Sequence, residues 1–386
     1  MLKNGEKFLG QQVPLCSPEV GSEEIAAISQ VFQSGALSHG PELIEFEKRF
    51  AQFIGVNHAV ALNSWTSAAY LVFKYIFERH GPGEVILPSY TFVASANTVI
   101  SAGLTPIFID VDRESYEITL NTIKPAITKN TRAIMPVHFA GKPCNMPEIM
   151  GLVRGKSIYV IEDSAECLGA TVGNQQAGSF DIGIFSFYST KNMTTGEGGM
   201  VTTNNTDLIN WLKVHLAHGI QKNTYQNADG EKLPWHRNAV AVGHNFRLSN
   251  MQAAMGLVQL RKLEAMNKAR YEIAKIYDDG LSEISEIERP HLLTLGEHSF
   301  QMYPIKVDKS NRNNILKALQ SQGIGASCHF DPPVHLQTAY FDKKISLPIT
   351  EELSLSTITL PISSIQTKDQ TCYVIEQLKR AISRSQ

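Results

Sequence analysis

The 386-residue chain has no apolar run approaching the ~18–20 residues that cross a bilayer. Its opening stretch, MLKNGEKFLGQQ, has no apolar core of the kind a cleaved secretion signal requires. Both absences argue against a membrane partner and set a cytoplasmic location as the expectation. Lys and Arg number 35 against 37 Asp and Glu, a net charge of −2, with no long basic run. Such a balance gives no electrostatic footprint for nucleic acid. The five cysteines (Cys16, Cys144, Cys167, Cys328 and Cys372) are odd in number and scattered, and none forms a C-x-x-C pair. Neither a disulfide framework nor a zinc site is suggested, and no metal is expected. Internal repeats, low-complexity tracts and Pro/Ser-rich linkers are absent too. What the chain does have is 43% hydrophobic and 19% charged residues, enough apolar material for a folded core. Its length suggests about two domains.

Short apolar runs alternate with helical patterns through the first two-thirds. Residues 85–87 read as a strand ended by Pro88, 92–102 as a helix stopped by Gly103, and 106–110, 132–137 and 157–161 as further strands. These runs are continuously apolar, as strands covered on both faces are, which predicts a mostly parallel sheet flanked by helices, an α/β fold. Ser249 with Gln252 forms a capping-box pattern that opens a long helix reaching about Asp278, with Gly280 as its stop. Beyond it come a strand at 300–307, a helix at 311–322 ended by Gly323, and a helix at 369–382. That predicts a large domain over residues 1–265 and a smaller α+β domain over 266–386.

The chemistry concentrates between residues 158 and 204. One strand ends in Glu162 and Asp163; the next, 181–188, runs on to Lys191 and a Gly-rich turn at 194–199. Ligands of open α/β sheets sit beyond the carboxyl ends of strands, so both residues stand where a ligand would. A lone Asp there could be a helix cap, and a lone Lys could snorkel to solvent. The turn is no Walker motif, since no Gly-Lys-Ser/Thr follows. An acid and an amine at neighbouring strand ends nevertheless match what pyridoxal 5'-phosphate (PLP) requires: a lysine for the aldehyde and a carboxylate for the pyridinium nitrogen.

The ordered motifs SHGP at 38–41, EFE at 45–47, NSWTS at 63–67, PSYTF at 88–92, EDSA at 162–165, GSFDIG at 178–183, FSFYSTKN at 185–192, GEGG at 196–199, GHNFR at 243–247 and QAA at 252–254 span nearly the whole chain. Together they resemble the DegT/DnrJ/EryC1/StrS family of PLP-dependent nucleotide-sugar aminotransferases, of PLP-dependent transferase fold type I. The resemblance implies that Lys191 is the catalytic lysine that condenses with PLP, and that Asp163 braces the pyridinium nitrogen. Phe92 would stack on the ring. Thr66, Ser67 and Ser186 would hold the phosphate, the first two at the start of a helix running to about Tyr75, whose N-terminus suits an anion. Asn245 would reach the phosphate of a second subunit, which implies a homodimer with shared active sites. His329, Arg247 and Tyr188 would face the substrate.

Two positions depart from the family pattern. Trp65 stands where relatives carry Gly. Glu166 stands where many carry Gln or His against the ring oxygen; an ionised Glu cannot donate there, so it is either protonated or turned elsewhere. The implied reaction moves an amino group from L-glutamate to a nucleotide-linked keto-deoxysugar, with Lys191 shuttling the proton. The segment at 34–40 looks like relatives that aminate C4 of a 4-keto-6-deoxyhexose, in surface polysaccharide or deoxyamino-sugar biosynthesis. The alternatives are a PLP-dependent sugar dehydratase or lyase, which would carry His in place of Lys191, and a non-catalytic regulator that kept the fold.

Overall fold

The computed structural model describes residues 12–220, 237–290, 294–342 and 344–384. The N-terminal stretch 1–11, considered above for a secretion signal, lies outside them. The strands are β1 (His58–Leu62), β2 (Glu84–Pro88), β3 (Thr105–Ile109), β4 (Thr131–Ile134), β5 (Tyr159–Asp163), β6 (Thr171–Val172), β7 (Gln175–Gln176), β8 (Ile182–Ser186), β9 (Gly199–Thr203), β10 (Ile287–Glu288), β11 (Tyr303–Val307) and β12 (Thr357–Leu360). The helices are α1 (Ser22–Ser34), α2 (Pro41–Ile54), α3 (Trp65–His80), α4 (Ala94–Ser101), α5 (Leu120–Ile123), α6 (Met146–Val153), α7 (Thr206–His215), α8 (Asn250–Leu281), α9 (Arg312–Ser321), α10 (Pro348–Ser356) and α11 (Lys368–Ser383).

Seven strands form the main sheet in the order β1-β9-β8-β5-β4-β2-β3. The β5/β8, β4/β5, β2/β4 and β2/β3 pairs are parallel, while β9 runs antiparallel to both neighbours. The sheet is therefore mostly parallel with one reversed strand. Val85 and Leu87 enter one core with Ala68, Leu71 and Val72 of α3, whereas Ile86 enters the other with Ile149 of α6. Adjacent residues of a strand face opposite sides, so a continuously apolar run is what a sheet covered twice demands.

A three-stranded sheet, β10-β11-β12, is antiparallel throughout. It packs with α9, α11 and the later part of α8 through Ile273, Tyr277, Ile305, Leu319, Ile358 and Leu378. Val13 joins this second core, its N–H donating to Gly323 O at 2.9 Å. Earlier on α8, Leu263 and Met266 instead pack with Phe46 and Phe50 of α2.

Several boundaries differ from the sequence expectations for local reasons. The α8 capping box is present, with Ser249 Oγ accepting from Gln252 N–H at 3.2 Å. Gly280, expected as the stop, lies inside α8: a Cβ there would come within 2.6 Å of Ile375 Cδ1, so the glycine permits close crossing with α11. The helix expected from Phe92 begins at Ala94, leaving Phe92 in the preceding turn. The strand expected at 157–161 sits two residues later, which places Glu162 and Asp163 within it. The Gly-rich turn gives way at Gly199 to a strand, β9, that the apolar pattern did not announce.

Candidate active site

Asp163 closes β5 and is 6% exposed. Its Oδ1 accepts the Ala165 N–H at 3.2 Å, and its Oδ2 accepts the Ser95 hydroxyl at 3.4 Å. Both contacts are long for a carboxylate. Burial pushes the carboxyl up to about 6, with the neighbouring Glu166 adding to the rise and Lys191 opposing it.

Lys191 follows β8 through a turn closed by its own N–H donating to Tyr188 O at 3.0 Å. Its Nζ donates to Glu166 Oε1 at 3.2 Å, and both side chains are largely buried. Glu166 Oε2 accepts the Ala140 N–H at 3.0 Å. Glu166 is thus turned inward onto the lysine rather than to solvent. His329 Nδ1 bonds Thr359 Oγ1 at 2.8 Å, and burial holds its imidazole below the ordinary histidine range while Glu166 and Lys191 act on it from nearby. The Thr359 bond ties the segment carrying His329 to β12 of the three-stranded sheet.

Ser186, half-buried at the end of β8, pairs with Gly199 of β9 and accepts the Tyr188 N–H at 3.3 Å, leaving its own hydrogen free to donate. Gly199 in turn abuts the start of α3: a Cβ on it would lie 2.5 Å from the Ser64 carbonyl and 2.7 Å from the Trp65 nitrogen. The helix opens at Trp65 and runs to His80, and its cap is Ser64, whose Oγ accepts the Ser67 N–H at 3.1 Å. Thr66 is exposed in the first turn, and Ser67 Oγ accepts from Ser64 Oγ at 3.0 Å. The glycine therefore draws Ser186, Thr66 and Ser67 into one patch at a helix N-terminus, where N–H groups and the helix dipole favour an anion.

Phe92 (63% exposed) and Tyr188 (47% exposed) present open rings, and the Phe92 carbonyl accepts the Ser95 N–H at 3.1 Å. Asn245 is exposed and pairs by backbone with Ala217, while Arg247 pairs with Leu62 just before α3. Neither belongs to the Lys191 cluster by backbone. His335, six residues beyond His329, is fully buried against Ser89. Among the described residues, no group of three or more His, Cys, Asp or Glu could hold a metal, and no helix is long and apolar enough to cross a membrane. Ser95 and Ala140, which contact Asp163 and Glu166, carried no signal in the sequence; their contacts span 68 and 26 residues.

A model of the DegT/DnrJ/EryC1/StrS aminotransferase family matches residues 18–379. The spore coat polysaccharide biosynthesis protein SpsC of Bacillus subtilis is 35% identical over 98% of this chain and 98% of its own length. Among solved structures, Helicobacter pylori PseC, an aminotransferase involved in pseudoaminic acid biosynthesis, superposes with a TM-score of 0.91 at 27% identity, covering 97% of this chain and 100% of that one. The PLP form of the putative sugar aminotransferase Spr1654 from Streptococcus pneumoniae gives 0.88 at 28% identity over 97% and 100%. A GDP-4-keto-6-deoxy-D-mannose-3-dehydratase from E. coli gives 0.86 at 25% identity over 95% and 99%. Fold and site together define a PLP-dependent sugar aminotransferase of fold type I. The chain belongs to the DegT/DnrJ/EryC1/StrS aminotransferase family.

The residues present fit PLP. A buried carboxylate with two long hydrogen bonds and a raised carboxyl lacks the cation that a pyridinium nitrogen supplies. An inward-facing primary amine stands close enough to act on Asp163, and the anion-favouring patch lies at the ends of β8 and α3.

Proposed function

We propose that this protein transfers the amino group of L-glutamate to C4 of a nucleotide-linked 4-keto-6-deoxyhexose in the cytoplasm, for a surface polysaccharide or a deoxyamino sugar. It would act as a homodimer in which Asn245 reaches the phosphate held by the other subunit. The observation that carries this is the inward Lys191 amine, hydrogen-bonded at 3.2 Å to Glu166, beside a buried and under-partnered Asp163.

When bound, PLP supplies the electron sink that lets a proton leave the amino-bearing carbon. Asp163 holds negative charge against the ring nitrogen, and a cation there lowers its raised carboxyl back toward the ordinary range. Thr66, Ser67 and Ser186 bind the phosphate, and Phe92 covers one ring face. Lys191 Nζ would move the proton, acting as base and then acid. Glu166 orients Nζ through Oε1 while the Ala140 N–H fixes its other oxygen. His329, Arg247 and Tyr188 receive the sugar nucleotide. Core membership changes along α8 between Met266 and Ile273, which supports a domain boundary near residue 265.

The dehydratase neighbour represents the second reading. Lys191, where a dehydratase of this kind would carry His, favours amino transfer. The test is incubation of PLP-loaded protein with L-glutamate and a panel of nucleotide-linked 3-keto and 4-keto sugars. Release of 2-oxoglutarate with a 4-keto acceptor, and a C4 amine in the product by NMR, is the expected result. A sugar that has lost a hydroxyl and gained no amine, with ammonia released alongside 2-oxoglutarate, would point to dehydration, and a protein that stays colourless with PLP would point to a regulator.

A further inference from the structure

Ser89 stands between β2 and the turn that carries Phe92, and it is gripped from several sides. Its N–H donates to Ile109 O at 3.2 Å, and its carbonyl accepts the Val334 N–H at 3.1 Å. Its hydroxyl oxygen accepts the His335 N–H at 3.0 Å and lies 2.6 Å from His335 Nδ1. A serine hydroxyl has one hydrogen. The far ring nitrogen, Nε2, faces a carboxylate oxygen that accepts, so the neutral ring carries its proton on Nε2 and leaves Nδ1 to accept the Ser89 hydrogen. Nε2 faces Glu351 Oε1 at 3.3 Å, and the same oxygen accepts the Leu347 N–H at 2.9 Å. Ser89 and His335 are both 0% exposed, so this Ser-His-Glu array cannot meet a substrate as a nucleophile and base.

The residues after Ser89 continue the fastening. The Tyr90 hydroxyl donates to the His329 carbonyl. Thr91 Oγ1 lies 3.0 Å from Ser95 Oγ, which donates to Asp163 Oδ2. The turn is thus tied to the 329–335 segment on one side and to Asp163 on the other, and Phe92 projects from between the two ties.

We propose that His335 is a positioning residue: in its neutral Nε2–H form it holds Ser89, and through Ser89 it holds the turn that presents Phe92 to the cofactor ring. The inference rests on the role proposed above for Phe92. His335 itself touches neither cofactor nor substrate. It acts by ordering the turn in advance, so that binding does not bear that entropy cost.

Two replacements separate the Ser89 contact from the Glu351 contact. His335→Asn keeps an acceptor where Nδ1 stands but falls short of Glu351. His335→Gln keeps an N–H where Nε2 stands but offers Ser89 nothing. Hydrogen exchange over residues 88–95 in the cofactor-free protein, together with the PLP dissociation constant, reads the outcome. His335→Gln and Ser89→Ala should each raise exchange and weaken PLP about tenfold, while His335→Asn stays within about twofold of wild type. The double variant Ser89→Ala/His335→Gln should be no worse than either single change. An Asn variant as damaged as the Gln variant, or unchanged exchange in both Ser89→Ala and His335→Gln, would overturn the proposal. The exchange measurement needs no cofactor, so it decides the positioning claim separately from the proposed activity.

Discussion

Glu162 and Asp163 are consecutive residues of β5, both buried, and they face opposite sides of the sheet. Glu162 is fully satisfied by the protein: it accepts the Gly178 and Phe180 N–H groups at 2.8 Å each, and His138 Nε2 approaches at 3.2 Å. The Cys144 N–H donates to His138 Nδ1 at 3.1 Å, which leaves the ring proton on Nε2, aimed at Glu162. Among the described residues, the Asp163 carboxylate has only the two long contacts to Ala165 and Ser95. One carboxylate knits the backbone of the 178–180 loop to the sheet. The other is left short of partners, and burial raises its carboxyl. A buried acid that the fold completes is structural; a buried acid that the fold leaves incomplete awaits a ligand.

The largest effect expected on the Asp163 face is from Lys191→Ala. Turnover should fall by about 10⁴ or more while PLP still binds noncovalently, as steady-state kinetics and dialysis would show. Asp163→Asn comes next and splits two readouts. Turnover should drop about 10²–10³ for want of the charge against the ring nitrogen. Cofactor-free stability should move the other way. The folded carboxyl sits near 6 against an ordinary 3.8, so its stabilising contribution is complete below about pH 4 and is lost as pH rises through 6. Asparagine removes that loss, so above pH 7 the variant should be more stable by up to about 3 kcal/mol in chemical denaturation.

Glu162→Gln should do the reverse. It sets an amide N–H₂ against a backbone N–H and breaks the His138 pair, costing about 3 kcal/mol of stability, with the spectrum of bound cofactor unchanged in the protein that folds. Equal cofactor effects from Glu162→Gln and Asp163→Asn would erase the distinction between the two faces. Glu166→Gln is a smaller change, since an amide oxygen can still accept from Lys191 or Ala140. The pH dependence of cofactor absorbance should shift, with turnover altered less than about tenfold; an identical titration would remove Glu166 from the site. Tyr277→Phe, in the second core, loses the hydroxyl that donates to Pro361 O at 2.8 Å and should cost about 1 kcal/mol without touching cofactor affinity.

The sequence showed the parallel strands of the main sheet because burial on two faces writes itself as uninterrupted apolar runs. It showed the start of α8 because a capping box is local. Gly280 misled because a glycine that admits the Ile375 side chain looks the same in sequence as one that ends a helix. Thr66 and Ser67 stand in the first turn of α3, at the helix start expected for them, and the cap is Ser64 just before it. Lys191 and Asp163 stood out as polar groups ending apolar strands. Ser95 and the Ala140 N–H did not, because each is brought to its partner by the sheet rather than by neighbouring residues. The pairing of Ser89 with His335 spans 246 residues and has no local trace at all.

Borohydride reduction of the PLP-loaded protein, followed by peptide mapping, tests the central claim most directly. A single modified peptide carrying the phosphopyridoxyl mass on residue 191 is the expected result. Label on another lysine, or none after full cofactor uptake, would contradict the assignment of the amine and of the site built around it.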